Sequence, residues 1–127
     1  MSIHFSIPAR VNILGNPTDG NEGDYATISA AVDIRAHAVI DSQEKYILEH
    51  TGEEVLPITF HPSDLPLPYD GSADLLKAAL NILYAHSQEF KMKISDQGFH
   101  LRVWSEVPRQ SGLGGSSLYI LLALAAM

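Results

Sequence analysis

The stretch from residue 99 to residue 127 constrains the fold most, because an alternating segment, a glycine-rich loop and an apolar segment follow one another there. Residues 99–107 alternate apolar and polar side chains in the manner of a strand, and residues 112–117 read GLGGSS before the apolar residues 118–127. Glycine lets the backbone adopt positive φ and approach a ligand, and the N-terminus of a helix favours an anion. The order predicts a strand, then a loop that fits a phosphate group, then a helix.

Three kinds of glycine-rich loop compete for such a stretch, and each requires particular residues. A Walker loop needs a lysine before its serine or threonine, and no lysine follows Lys93. A dinucleotide fingerprint needs a third glycine where Ser117 stands, so it remains only as an alternative. In the third case the glycines form a tight turn and bind nothing. The hydroxyls of Ser116 and Ser117 favour phosphate, since serines at a helix start can cap the helix and also reach a phosphate or its Mg²⁺.

Composition narrows the class of protein. The 127 residues correspond to one domain, and 15 acidic against 8 basic residues give a formal net charge of -7, which argues against a nucleic-acid partner. The lack of cysteine excludes disulfides and thiolate metal sites, and the six histidines show no spacing typical of a metal site. The N-terminus has no leader pattern and the longest apolar run is too short to span a bilayer, so we expect a cytoplasmic protein without a membrane partner.

The remainder of the chain indicates several strands before the first helix. Strands are predicted at residues 3–7, 11–14, 25–29, 32–40, 46–49 and 55–60, with Ile34 on the buried face of the fourth and a turn at residues 51–53. The prolines of residues 61–71 predict a surface loop. Ser72 is predicted to cap one helix that runs to about Phe90, with a buried stripe at residues 76, 79, 80, 83, 87 and 90. Strands followed by a helix, a strand and a helix are typical of an α+β layer structure.

Two motifs give the chain a resemblance to a known superfamily. Residues 108–117, PRQSGLGGSS, resemble the Pro-x-x-x-Gly-Leu-Gly-Ser-Ser phosphate loop of the galactokinase, homoserine kinase, mevalonate kinase and phosphomevalonate kinase (GHMP) superfamily. Residues 8–19, PARVNILGNPTD, resemble its first motif, the Pro-Gly-Arg-Val-Asn-Leu-Ile-Gly-Glu-His-x-Asp of galactokinases. Gly-Asn-Pro at residues 15–17, together with Pro-Arg-Gln at residues 108–110, looks most like the glucuronokinase branch.

The chain also departs from the pattern of that superfamily. Gln110 stands where many relatives have glycine, and Gly115 replaces the first serine of the pair, so the shape of the loop can differ. Asn16 and Pro17 replace the Glu-His of galactokinases, which argues against galactose itself as the substrate.

The resemblance implies a set of site residues. The residues implied to bind the ATP phosphates are Pro108, Ser111, Gly112, Leu113, Gly114, Gly115, Ser116 and Ser117. Ser116 aligns with the serine that binds Mg²⁺ in several relatives, and Arg10 aligns with the catalytic basic residue beside the transferred phosphate. Asn16 and Asp19 occupy positions that bind sugar hydroxyls, and Arg109 is a candidate for a phosphate or a substrate carboxylate. Plainer roles remain open: a surface ion pair for Arg10, a turn cap for Asp19 and a solvated position for Arg109.

The resemblance further implies a fold and an activity. The fold is the two-layer α+β N-terminal domain of GHMP kinases, which is ribosomal-protein-S5-domain-2-like and has a left-handed β-α-β crossover, with residues 1–127 as its ATP-binding domain. The activity is ATP- and Mg²⁺-dependent phosphorylation of a small-molecule sugar or sugar acid. The alternatives are a non-catalytic nucleotide-binding or interaction module and, less favoured, a dinucleotide-binding domain.

The general base and a further glycine-rich loop of the superfamily have no counterpart in the chain. They would lie past Met127, which falls within an apolar segment that has no polar stop. We therefore expect a piece of a longer kinase, cut within a helix and inactive alone. An apolar helix face without its partner tends to be covered by association, so we also expect the fragment to self-associate through its last helix.

Overall fold

The computed structural model describes residues 1–15, 26–52 and 56–127, and these ranges form a mixed β-sheet with helices packed on it. Its strands and helices are, in chain order, β1 (Ser2–Leu14), β2 (Ile28–Gln43), β3 (Tyr46–His50), β4 (Ile58–Phe60), α1 (Asp74–His86), α2 (Gln88–Asp96), β5 (Gly98–Ser105) and α3 (Gly115–Ala126). A 3-10 turn at Pro62–Asp64 follows β4.

The sheet has the strand order β1-β2-β5-β3-β4. β2 is antiparallel to both β1 and β5, and β3 and β4 form the predicted antiparallel hairpin. β3 and β5 are parallel, and a parallel pair needs a crossover connection, which contains α1 and α2 here. The predicted α+β layer structure is confirmed, and the handedness of the crossover stays a prediction.

The long hairpin of β1 and β2 corrects the prediction of shorter strands. Pro8 lies within β1, although the sequence predicts a break between strands at residues 3–7 and 11–14. Proline has no N–H to donate, and β1 tolerates it because an edge strand has only one neighbour. Residues 32–40 likewise belong to a single strand that starts at Ile28. Residue 25, the first residue of the predicted strand 25–29, lies outside the described residues.

The register between β1 and β2 shifts at this proline. The partner on β2 changes from Arg35 for Pro8 to Val32 for Ala9, so residues 33–34 have no partner on β1. Ile34 is 37% exposed in this bulge, and its predicted place on the buried face is therefore wrong. A bulge inserts residues into one strand only, which the alternation of a single strand cannot reveal.

The predicted helix from Ser72 to Phe90 is in fact two helices. α1 ends at His86, and Ser87 adopts an extended backbone whose side-chain oxygen accepts the N–H of Phe90 at 3.2 Å. Ser87 thereby caps α2, because a serine that binds nearby N–H groups favours a helix start over a helix interior. Ser72 does not cap α1, since Ala73 occupies the cap position with a φ of +51°. The buried members of the predicted stripe are Leu76, Ala79, Leu80 and Phe90.

The core lies between the sheet and the helices. α3 contacts β1, β2 and β5, and α1 packs beside α3. The largest fully buried side chains come from both layers and are Leu48, Leu101, Val103, Leu76, Leu80 and Leu122. Residues 61–71 lie mostly at the surface as predicted, but Leu67 is buried. The side-chain amide of Asn81 fixes that segment, because it binds both the N–H and the carbonyl oxygen of Leu67, at 2.8 and 2.9 Å.

The apolar helix α3 is only partly covered by the described residues. Leu118, Leu122 and Ala123 are buried, whereas Leu121 and Leu124 are 51% and 38% exposed. The predicted self-association through this face stays a prediction. Among the helices in the described ranges, none is long and apolar enough to cross a membrane.

Candidate functional site

The glycine loop, which we define as residues 108–116, joins β5 to α3 through left-handed backbone. Gln110, Gly112 and Gly114 have φ values of +56°, +75° and +75°. A Cβ placed on Gly112 would have no atom of the described residues within 4 Å, so none of these atoms requires a glycine there. Glycine is favoured at Gly112 because of its backbone conformation, and the space next to it is open to a ligand.

In the part of the chain that the structure describes, no side chain caps the start of α3. Gly114 is the N-cap residue and, with no side chain, accepts no N–H of the first turn. A cap by Ser116 or Ser117, which the sequence left open as an alternative role, is not formed, because Gly114 is the N-cap residue. The first N–H groups of a helix have no acceptor within the helix, and together with the helix dipole they favour a negative charge. This helix end is therefore suited to bind an anion.

A cleft of about 550 Å³ separates the glycine loop from the start of α1. On the far side it is lined by residues 71 and 73–76, and we call residues 70–74 the α1 wall. His50, Ser105 and Tyr119 complete the lining, and the rings of His50 and Tyr119 meet edge to face with centroids 4.3 Å apart. Sequence reasoning missed the α1 wall, because nothing in the sequence connects residue 70 with residue 114.

The structure brings most of the loop residues implied by the resemblance to this cleft. Those that line it are Pro108, Ser111, Gly112, Leu113, Gly114, Gly115 and Ser116. Arg109 also lines the cleft, whereas Ser117 does not. Asn16 and Asp19, the residues implied to bind the sugar, lie outside the described residues. The roles of all these residues stay predictions.

Arg10 connects the first motif to the glycine loop. Its side-chain Nε lies 3.9 Å from the position that a Cβ would take on Gly114. The guanidinium donates to the side-chain oxygen of Asn12 at 2.8 Å, and the hydroxyl of Ser29 donates to the same oxygen at 2.5 Å. Asn12 therefore orients the arginine, a role that sequence reasoning did not assign. The two motifs, about a hundred residues apart in the chain, meet at the start of α3.

The α1 wall is held by two carboxylates and a buried ammonium group. Asp74 accepts the N–H groups of Asp70 and Gly71 at 3.1 and 2.9 Å. Asp70 accepts the N–H of Ser72 at 2.9 Å and the ammonium of Lys77 at 2.6 Å. The hydrogen bond from Lys77, followed by the one from Ser72, holds the pKa of the Asp70 carboxyl below its ordinary value. The wall is thus fixed by its own side chains.

The topology of the sheet excludes one of the alternatives for the glycine loop. A dinucleotide fingerprint belongs to a doubly wound, mostly parallel sheet. Here β5, the strand before the loop, has an antiparallel neighbour on one side, β2, and only β3 is parallel to it. The dinucleotide-binding alternative is therefore wrong at the level of the fold. Within the described ranges, no group of three or more His, Cys, Asp or Glu side chains could hold a metal ion by itself.

Comparison with known proteins agrees with this architecture. Residues 74–127, which contain α1, β5, the glycine loop and α3, match the sequence profile of the GHMP kinases N terminal domain. No curated protein sequence matches the chain. The mevalonate kinase of Methanococcus jannaschii has a TM-score of 0.80 at 17% identity, over 99% of this chain and 39% of its own.

Two further solved structures carry ligands. Lactococcus lactis galactokinase complexed with galactose has a TM-score of 0.76 at 26% identity, over 96% of this chain and 31% of its own. Streptococcus pneumoniae phosphomevalonate kinase in complex with phosphomevalonate and AMPPNP has a TM-score of 0.70 at 15% identity, over 98% of this chain and 35% of its own. The chain thus spans less than half the length of these kinases. The profile match over residues 74–127 and the fold shared over nearly the whole chain show that the chain has the fold of the N-terminal domain of GHMP kinases.

Proposed function

We propose that this chain is the N-terminal, ATP-binding part of an ATP-dependent small-molecule kinase. One observation carries the proposal: the start of α3, at which no described side chain caps the helix, opens into a cleft of about 550 Å³, and Arg10, which does not itself line the cleft, has its Nε 3.9 Å from the Cβ position of Gly114 at that helix start. A helix N-terminus and a guanidinium are two of the groups that proteins use to bind phosphate. Their meeting at one point fits a triphosphate better than it fits a turn that binds nothing.

The residues of the loop would act by electrostatic stabilisation. During phosphoryl transfer, negative charge spreads over the oxygens of the transferred group, and donors fixed in advance around it lower the barrier. The N–H groups of residues 114–116 would supply such donors, and Arg10 would add a permanent positive charge. Asn12 would keep that charge aimed at the loop through its 2.8 Å bond to the guanidinium.

The position of Ser116 fits a role next to Mg²⁺. It lies in the first turn of α3, is exposed and lines the cleft, so its hydroxyl is accessible to a metal ion that accompanies the phosphates. Bound Mg²⁺ would neutralise charge on the β- and γ-phosphates. A serine hydroxyl alone does not bind Mg²⁺ tightly, so the phosphates and further ligands would have to hold the ion.

For the acceptor we propose a sugar or sugar acid, with a glucuronokinase-like substrate as the finer hypothesis. Galactose and phosphomevalonate are bound by kinases of this same fold, so the fold alone does not select the acceptor. The finer hypothesis is supported by Gly-Asn-Pro at residues 15–17 and by Arg109 at the cleft, because a guanidinium can pair with the carboxylate of a uronic acid. We place the general base outside this chain, so we expect nucleotide binding and no turnover from it.

The test is calorimetric titration of the chain with Mg-AMPPNP, with Ser116→Ala and Ser117→Ala as a matched pair. The two serines are neighbours in the first turn of α3, but only Ser116 lines the cleft. We expect Ser116→Ala to weaken binding about tenfold, which corresponds to the loss of one hydrogen bond to a charged group, while Ser117→Ala leaves the affinity unchanged.

Other outcomes would favour other functions. Equal effects of the two substitutions would remove Ser116 from the site. A wild-type chain that binds no nucleotide would favour the interaction module.

A further inference from the structure

We infer that Lys77 is a positioning residue for the nucleotide, because it fixes the α1 wall that faces the glycine loop. This inference rests on the proposed nucleotide site. Lys77 itself does not line the cleft, whereas Gly71, Ala73 and Asp74, which its ion pairs help to hold, do. Its effect on a ligand would therefore pass through the wall.

The burial of Lys77 is the first observation. It is 2% exposed, and among the described residues it is the one charged side chain buried to that degree. Its ammonium lies 2.6 Å from a carboxylate oxygen of Asp70 and 3.7 Å from one of Asp74. A buried ammonium is unfavourable unless it is paired, so Lys77 holds both carboxylates at one point.

The backbone that these carboxylates hold is the second observation. Gly71 has a φ of +89°, and Ala73, which has a side chain, has a φ of +51°. Left-handed backbone is unfavourable for alanine and persists only where surrounding bonds enforce it. Here Asp74 accepts the N–H groups of residues 70 and 71, and Asp70 accepts that of residue 72. Lys77 thus stabilises a strained segment that faces the cleft.

The two walls of the cleft provide separate readouts. A ligand that fills the cleft contacts the glycine loop and the α1 wall, since both line it. At the proposed site an inorganic tripolyphosphate would contact only the loop and the helix start, whereas a whole nucleotide would also extend to the opposite wall. A loss that is confined to the nucleotide therefore reports on the α1 wall, and a loss of both ligands reports on the fold.

The experiment measures the affinity of Lys77→Met for Mg-AMPPNP and for tripolyphosphate. Methionine keeps an unbranched side chain, one heavy atom shorter than that of lysine, and removes the charge. We expect nucleotide affinity to fall about tenfold, the effect of a lost charged contact, with tripolyphosphate affinity unchanged. The matched control is Lys93→Met, because Lys93 pairs with Glu89 at 2.7 Å on an exposed surface of α2, and we expect it to change neither affinity.

Rescue separates positioning from simple support of the core. Glycine adopts left-handed backbone without strain, so Ala73→Gly in the Lys77→Met background is expected to restore nucleotide affinity about threefold. Absence of rescue, or a parallel loss of tripolyphosphate binding, would overturn the inference.

A second variant covers the case in which Lys77→Met does not fold. Asp70→Asn changes an exposed side chain and removes only the charge that Lys77 binds. We expect it to weaken nucleotide binding about threefold, and an unchanged affinity would overturn the inference. If the wild-type chain binds no nucleotide at all, the proposed function fails first, and that outcome is distinct from a wild-type chain that binds while its variants bind equally well.

Discussion

The glycine loop and the α1 wall face each other across one cleft, and they stabilise similar backbone in opposite ways. Each contains residues with positive φ, Gly112 and Gly114 on one side and Gly71 and Ala73 on the other. The α1 wall is held by carboxylates that accept three backbone N–H groups. Among the described residues, no side chain caps the helix start at the glycine loop. One wall is therefore fixed by hydrogen bonds to its own side chains, whereas the other has backbone donors that a bound anion can satisfy.

The largest effect is expected from a matched pair of glycine substitutions. Gly71 and Gly112 have φ values of +89° and +75°, and a Cβ on either would have no atom within 4 Å. Gly71→Ala must keep the strained backbone because side chains hold it, so we expect a loss of roughly 1 to 2 kcal/mol in the free energy of unfolding, with tripolyphosphate binding kept. Gly112→Ala can relax into another loop conformation, so we expect little loss of stability but about a tenfold loss of tripolyphosphate affinity.

Urea unfolding and calorimetry of both variants would measure these effects. If Gly71→Ala abolished tripolyphosphate binding and Gly112→Ala left it intact, the assignment of the two walls would be reversed.

A smaller effect is expected from acid, and of the two walls of the cleft only the α1 wall contributes to it. The folded-state pKa of Asp70 is lowered by its bond to Lys77, so this pair stabilises the fold above the unfolded pKa of an aspartate, near 4. The stabilisation is lost as the pH falls through the lowered folded value. We therefore expect Asp70→Asn to flatten the decline of the unfolding free energy between neutral pH and about pH 3.

Urea midpoints at both pH values would measure this change. The variant is expected to keep a residual acid response from two other carboxylates. Hydrogen bonds to Ser2 and Lys93 lower the pKa values of Asp41 and Glu89, respectively. An acid response identical to that of the wild-type chain would mean that the Asp70–Lys77 pair does not form in solution.

The sequence predicts the glycine loop better than the wall across from it, for a physical reason. A strand, a glycine-rich loop and an apolar helix form one local signal, and the structure has β5, the loop and α3 in that order. The α1 wall depends on Asp70, Asp74 and Lys77, which resemble ordinary surface charges until tertiary packing buries the lysine. Burial of a charge follows from the neighbours of a helix, which periodicity does not specify.

The wrongly predicted boundaries of β1 and α1 also result from contacts that the local sequence pattern does not specify. Pro8 predicts a break in most contexts and is tolerated only because β1 lies at an edge of the sheet. Ser87 falls on the apolar spacing of one helix, yet its bond to the N–H of Phe90 starts a second helix. The spatial meeting of Arg10 with Gly114 could be expected only through the resemblance to GHMP kinases, since it depends on how β1 and α3 pack.

Titration of the ¹⁵N-labelled chain with Mg-AMPPNP, followed through its backbone amides, tests directly whether the glycine loop binds the triphosphate. If the uncapped start of α3 binds the triphosphate, the amides of residues 112–116 shift most, and tripolyphosphate alone shifts the same set. The amides of β4 and α2, which do not line the cleft, stay unchanged and serve as the internal control. Saturation by Mg-AMPPNP without any shift at residues 112–116 would show that the nucleotide binds elsewhere.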